Sequence, residues 1–147
     1  MFKSTLTGDY THIYSKDPAL DRDSEAFDHD KWIETGDDKY LPVKDGLTPV
    51  RFTLKRLPPM EHQYLFDIGG TDGPSSMAMW AVAMGVRKIE PLKVDGKDAT
   101  LETQIRNGRT ILDDEWQDRL LEVDEGDLAK ELARRIIAKG NTVSPRS

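Results

Sequence analysis

Three histidines, His12, His29 and His62, are the side chains in this sequence best suited to proton transfer or metal ligation near neutral pH. None has a second histidine or a carboxylate at the helical spacing of a zinc-protease motif, so a metal site built from them depends on tertiary proximity. They read as exposed or hydrogen-bonded imidazoles. Asp21, Asp23 and Glu25 open like a calcium loop, which takes oxygen ligands at its first, third and fifth positions, glycine at the sixth and glutamate at the twelfth. The match stops there, because Ala26 and Trp32 hold the sixth and twelfth positions. The acidic cluster of Asp21, Asp23, Glu25, Asp28 and Asp30 therefore reads as a solvated face. Gly69-Gly70-Thr71-Asp72-Gly73-Pro74-Ser75-Ser76 is a glycine-rich loop entering a helix, where free amides can bind anions. It lacks the lysine of a phosphate-binding loop and carries Asp72, so helix capping by Asp72, Ser75 or Ser76 is the stronger reading.

Nucleophilic catalysis finds no footing either. The chain has no cysteine, which removes disulfides, thiolate metal sites and cysteine nucleophiles together. No serine sits in an elbow motif, and Asp113 and Asp114, adjacent on a helix, point in different directions. Met77, Met79 and Met84 fit core filling better than an adaptable groove. An enzyme would need a concave pocket bringing His62 or His29 beside several carboxylates, so the reading is non-enzymatic, with no catalytic, cofactor-binding or metal residue assigned.

The elements that would position any site fall into two parts. Residues 1–49 read as an acidic, turn-rich arm or wrapped extension, broken by Asp17-Pro18, Gly36-Asp37, Leu41-Pro42, Asp45-Gly46 and Thr48-Pro49. A short helix fits Ser24 to Ile33, with Ser24 as its cap. Residues 50–147 read as an α+β core domain, mainly helical after residue 57, with a small antiparallel sheet. Val50 to Leu57 alternates as a half-buried strand. A helix carrying Met60, Tyr64 and Ile68 follows and ends at Gly69-Gly70. Ser75 to Val86, apolar around nearly its whole circumference from Met77, requires burial on more than one side. Arg87 to Val94 is extended, Asp95-Gly96 turns the chain, and Asp98 to Leu101 returns. Asp113 caps a helix bearing Trp116 and Leu120. The last helix starts at Asp124 or Asp127, repeats Leu128, Leu132 and Ile136 every four residues, gathers Arg134, Arg135 and Lys139 near its negative end, and stops at Gly140-Asn141. The helices around Met77–Met84 and Leu128–Ile136 should pack on each other.

The charge distribution narrows the partners. Of a net charge of −6, residues 1–49 carry 11 acids and 6 bases, residues 50–97 carry 5 and 7, and residues 98–147 carry 11 and 8. Only the middle could attract a phosphate backbone, so no nucleic-acid partner is expected. No apolar run has the length of a membrane span, and Met1 to Tyr10 lacks the apolar core of a signal peptide.

Ser15-Lys16-Asp17-Pro18-Ala19-Leu20-Asp21-Arg22-Asp23, Gly46-Leu47-Thr48-Pro49-Val50-Arg51-Phe52-Thr53-Leu54-Lys55-Arg56-Leu57, Gly85-Val86-Arg87-Lys88-Ile89-Glu90, Leu112-Asp113-Asp114-Glu115-Trp116 and Leu128 to Ile137 follow one another in an order that resembles proteins of tailed-bacteriophage morphogenesis modules, similar to tail assembly chaperones. The resemblance implies non-enzymatic work in the host cytoplasm: keeping the tape-measure protein soluble and presenting it to tail-tube subunits, with no cofactor. It implies phage tail or other virion proteins as partners, with self-association possible. Two other roles suit the same residues. One is a permanent virion component of the neck, baseplate or capsid, whose arm orders on a neighbour. The other is a phage-encoded inhibitor of a host defence protein, whose acidic arm imitates nucleic acid.

Overall fold

The alternating strand of the sequence forms β2 (Arg51–Leu54), the middle strand of a three-stranded antiparallel sheet between β1 (Tyr10–Ile13) and β3 (Val86–Glu90). The computed structural model describes the backbone of residues 8–141 and the side chains of residues 8–138. The register sets Tyr10 opposite Leu54, His12 opposite Phe52, and Phe52 opposite Ile89, so all five share one face. Arg87 has no register partner where the β2–β3 pairing slips between Thr53 and Leu54, a bulge at the start of β3.

Helices cover that face. α2 (Pro59–Asp72) and α3 (Pro74–Gly85) form a hairpin whose break is a single residue, Gly73, at φ 97° with Pro74 in the first turn of α3. Three expectations are corrected here. The first helix runs through Gly69-Gly70 to Asp72; Asp72, Ser75 and Ser76 do not cap, since Gly73 occupies the cap with no side-chain bond; and no loop separates the helices. Gly69 is tolerated inside α2 because a Cβ there would lie 2.9 Å from Met77 Sδ on α3, so the glycine admits close packing.

α4 (Asp114–Glu122) starts at Asp113, whose carboxylate accepts from the Trp116 amide, and α5 (Asp127–Asn141) follows a short 3-10 turn. α5 is helical up to Asn141, the last residue whose backbone is described, so whether Gly140-Asn141 ends it lies outside the described residues, as does the tail proposed for Val143 to Ser147. The apolar α3 packs against α5 as its composition requires, with Gly85 against Ile136 and Leu132 fully buried. Trp80 is only half-buried and meets Tyr64 edge-on at 5.6 Å. Two hairpins complete the chain, β4 (Lys93–Val94) with β5 (Lys97–Asp98), shorter than the expected return to Leu101, and β6 (Thr103–Arg106) with β7 (Arg109–Leu112).

Residues 8–49 are irregular apart from β1, α1 (His29–Thr35) and a 3-10 turn. The segment wraps onto the core: β1 is a strand of the main sheet, Leu20 bridges Val43, and Ile13, Leu20, Trp32 and Leu41 form a second small apolar cluster. The expected helix from Ser24 forms five residues later. Asp28 wins the capping position because its carboxylate accepts from the Lys31 amide, and Gly36, at φ 73°, ends the helix.

Candidate functional site

Two histidines, a glutamate and an arginine from three elements meet where β1 and α1 lie against α5. His12 projects from β1 toward α5 and is fully buried. Its Nε2 lies 2.6 Å from Glu131 Oε2, and Arg135 Nη1 approaches its Nδ1 to 2.8 Å. Glu131 and Arg135 stand one helical turn apart, beside the core row of Leu128, Leu132 and Ile136. Ser15, just past β1, gives Glu131 both its amide, at 2.9 Å, and its hydroxyl, at 2.5 Å. His29, in the first turn of α1, donates from Nε2 to the Ile13 carbonyl at 2.7 Å and lies 3.7 Å from Glu131 Oε2. Trp32 closes the cluster; its ring lies 6.1 Å from that of His12, and Arg135 lies 5.7 Å over it.

The protons of His12 can be assigned from its neighbours. A guanidinium has only donors, so Nδ1 must accept, and Nε2 then donates to the carboxylate. His12 is therefore a neutral imidazole wedged between a half-buried cation and a half-buried anion. Burial drives its pKa below 6.5, although Glu131 pulls the other way. Burial alone would raise the Glu131 pKa, but the hydrogen bonds from His12 and Ser15 overcome it and hold the carboxyl down to about 2. The same burial lowers Arg135.

Beside the cluster lies a polar cavity of about 600 Å³ walled by His29, Asp28, Asp30, Glu131, Arg134 and Phe27, among others. It satisfies the condition set for an enzyme in part: His29 stands beside carboxylates, and His12 joins it. His62 does not. It sits on α2 and donates to the Ile137 carbonyl at 2.8 Å. His12, His29 and Glu131 are also the one group among the described residues whose ligand atoms converge for a metal, all within 4.8 Å. The proton inventory opposes a metal there. A metal on His12 Nε2 needs a proton or an acceptor at Nδ1, where Arg135 instead presents a donor and a positive charge. The Glu131 oxygens are likewise taken by Ser15 and His12.

The other candidates stay apart. Asp23, Glu25 and Asp30 are exposed and join no converging ligand set, while Asp28 is spent on its helix cap. Asp113 caps α4 while Asp114 turns outward to Arg106 at 3.1 Å, as their adjacency implied. Met84 is buried, Met77 half-buried and Met79 exposed. Ser15, Glu131 and Arg135 escaped the sequence reading. Their only signal is the pair at i and i+4 on α5, which looks like a surface ion pair until β1 is placed against it. No helix among the described residues is long and apolar enough to cross a membrane. The chain matches no family model, no curated protein and no solved structure, so its chemistry is argued from this geometry.

Proposed function

We propose that this chain works without catalysis, by binding other polypeptides, and that it serves bacteriophage morphogenesis in the manner of a tail assembly chaperone. The observation that carries the first step is the proton arrangement at His12. Nδ1 receives Arg135 and Nε2 gives to Glu131, so the buried imidazole at the centre of the cluster has no lone pair to offer a substrate. The cluster spends its hydrogen-bonding capacity on tying residues 12–15 to residues 131–135. Large apolar side chains support the second step: Met60 is 82% exposed and Ile105 77%, with Phe66 and Leu47 also exposed. The phage role adds the ordered resemblance described above.

The test is co-expression with phage tape-measure and tail-tube proteins, followed by affinity purification and by mass spectrometry of purified virions. The reading expects the tape-measure protein to stay soluble and co-purify, and virions to lack the chain. Stoichiometric presence in virions moves the assignment to a permanent component, and failure to capture either protein overturns it.

A further inference from the structure

A second cavity, lined by Tyr14 and sharing no lining residue with the first, has different walls. It encloses about 340 Å³, near the lower end for small-ligand pockets, and is floored by Phe52 and Ile89 from the sheet, Trp116 and Leu120 from α4, and Leu128 from α5. Each of these keeps under a tenth of its surface exposed, while Val123 at the mouth is 36% exposed. The buried apolar floor of this slot thus lies beneath exposed lining residues, Pro18 and Val123 among them.

Its rim is acidic. Lys16 is the one base among the lining residues and is already matched by Asp127 at 2.8 Å. Asp124 lines the slot, accepts from the Tyr14 hydroxyl at 2.7 Å, and is flanked in the chain by exposed Glu122 and Glu125. Asp17, also in the lining, is buried and binds the Ala19 and Val50 amides, so it shapes the wall. Asp124 and Glu125 both hold left-handed backbone, at φ 49° and 57°, a conformation that costs non-glycine residues about 1–2 kcal/mol each. That strained turn places Val123 and Asp124 at the mouth, and strain of this kind collects at binding sites.

We infer that the slot docks one aliphatic side chain, of leucine or isoleucine size, carried by a basic polypeptide segment whose lysines or arginines meet the acidic rim. The inference rests on the polypeptide-binding reading and gives it a recognition rule: an apolar anchor beside positive charge.

Nuclear magnetic resonance titration of the full ¹⁵N-labelled chain tests it with three acetylated, amidated peptides: Lys-Lys-Leu-Lys-Lys, Lys-Lys-Ala-Lys-Lys and Glu-Glu-Leu-Glu-Glu. Saturable shifts are expected at the Trp116 indole and the Val123 and Ile89 amides with the first peptide, and at least fivefold weaker binding with the other two. Val123→Lys, at an exposed position, should weaken the first peptide at least fivefold with an unshifted melting transition. Asp124→Asn, which tolerates left-handed backbone, should weaken it about twofold to fivefold. Equal response to leucine and alanine peptides, equal response to both charge types, no response, or indifference to Val123→Lys overturns the slot. If the Val123→Lys chain still captures a tape-measure protein at wild-type yield, the slot is refuted while the polypeptide-binding reading stands; if the wild-type chain captures none, it is that reading that fails.

Discussion

Removing the Glu131 carboxylate separates charge from geometry at the histidine cluster. In Glu131→Ala three short hydrogen bonds vanish, from His12 and twice from Ser15, and Arg135 keeps its half-buried charge with no anion across His12. Breaking a fully buried pair costs about 3–5 kcal/mol, which sets the upper bound for these half-buried groups. A second route gives the same scale. A carboxyl held at about 2 in the fold, against its usual 4.5, is worth about 3 kcal/mol at neutral pH, and Glu131 is only 16% exposed, so solvent screens little of it. For a chain of this length about 3 °C of melting temperature corresponds to each kcal/mol, so a loss of about 10 °C is expected. Glu131→Gln is the control. Its amide oxygen can still accept from His12 and Ser15 while its amino group donates to the Ser15 hydroxyl, so only the charge is lost, at about 1–2 kcal/mol.

Acid supplies the independent check. The Glu131 pKa is depressed in the fold, so its contribution is complete above 4.5 and disappears as pH falls from there toward 2. His12 is depressed too, so the unfolded chain binds its proton first and stability begins to fall as pH drops below 6.5. Both groups therefore push toward acid unfolding. Urea denaturation at pH 7.5, 5.5 and 3.5 should show the wild type losing stability at each step, with Glu131→Gln flatter below pH 4.5. A Glu131→Ala chain within 1 kcal/mol of wild type would refute the account of the cluster as a buried clasp.

Four further substitutions test the packing and the capping. Gly85→Ala brings a Cβ to 2.6 Å from Ile136 Cδ1 inside the core, and calorimetry should find about 1–3 kcal/mol lost, partly restored by adding Ile136→Val. Asp113→Ala removes the cap on the Trp116 amide and should cost about 0.5–2 kcal/mol in urea denaturation, with no change of fold by circular dichroism. Leu132→Asp buries an unpaired charge at a fully enclosed position and should abolish the cooperative thermal transition, whereas Trp80→Asp, at a half-buried position, should lower it without abolishing it. An unshifted transition in Leu132→Asp rejects the packing of α3 on α5.

Legibility followed the range of the interactions. The Leu128, Leu132 and Ile136 row is local, so α5 and its apolar face could be read directly, and the same holds for β2 and for the Asp113 cap. Capping at Asp28 could not be separated from capping at Ser24, because both residues accept well and only the surrounding fold decides which amide lies in reach. The β6–β7 hairpin carried a plain signal that was passed over, Asn107-Gly108, whose φ values of 54° and 77° suit a tight two-residue turn. β1 had aromatic and β-branched residues in Tyr10, Thr11 and Ile13, but its partner lies some forty residues on, and a four-residue strand with no local partner looks like coil.

That one missing strand accounts for the missing site. With residues 8–49 read as an arm, His12 has no defined neighbour, and Glu131 and Arg135 look like a solvated pair on a helix. Once β1 pairs with β2, the alternation of the strand turns Tyr10 and His12 toward α5, and the ion pair must either be separated or be bridged. A neutral imidazole bridges it with one acceptor and one donor. The cluster thus holds the first strand to the last helix across 119 residues of sequence. The cavity inferred to dock a side chain shares none of these residues, and Val123 and Asp124 in its lining stay exposed.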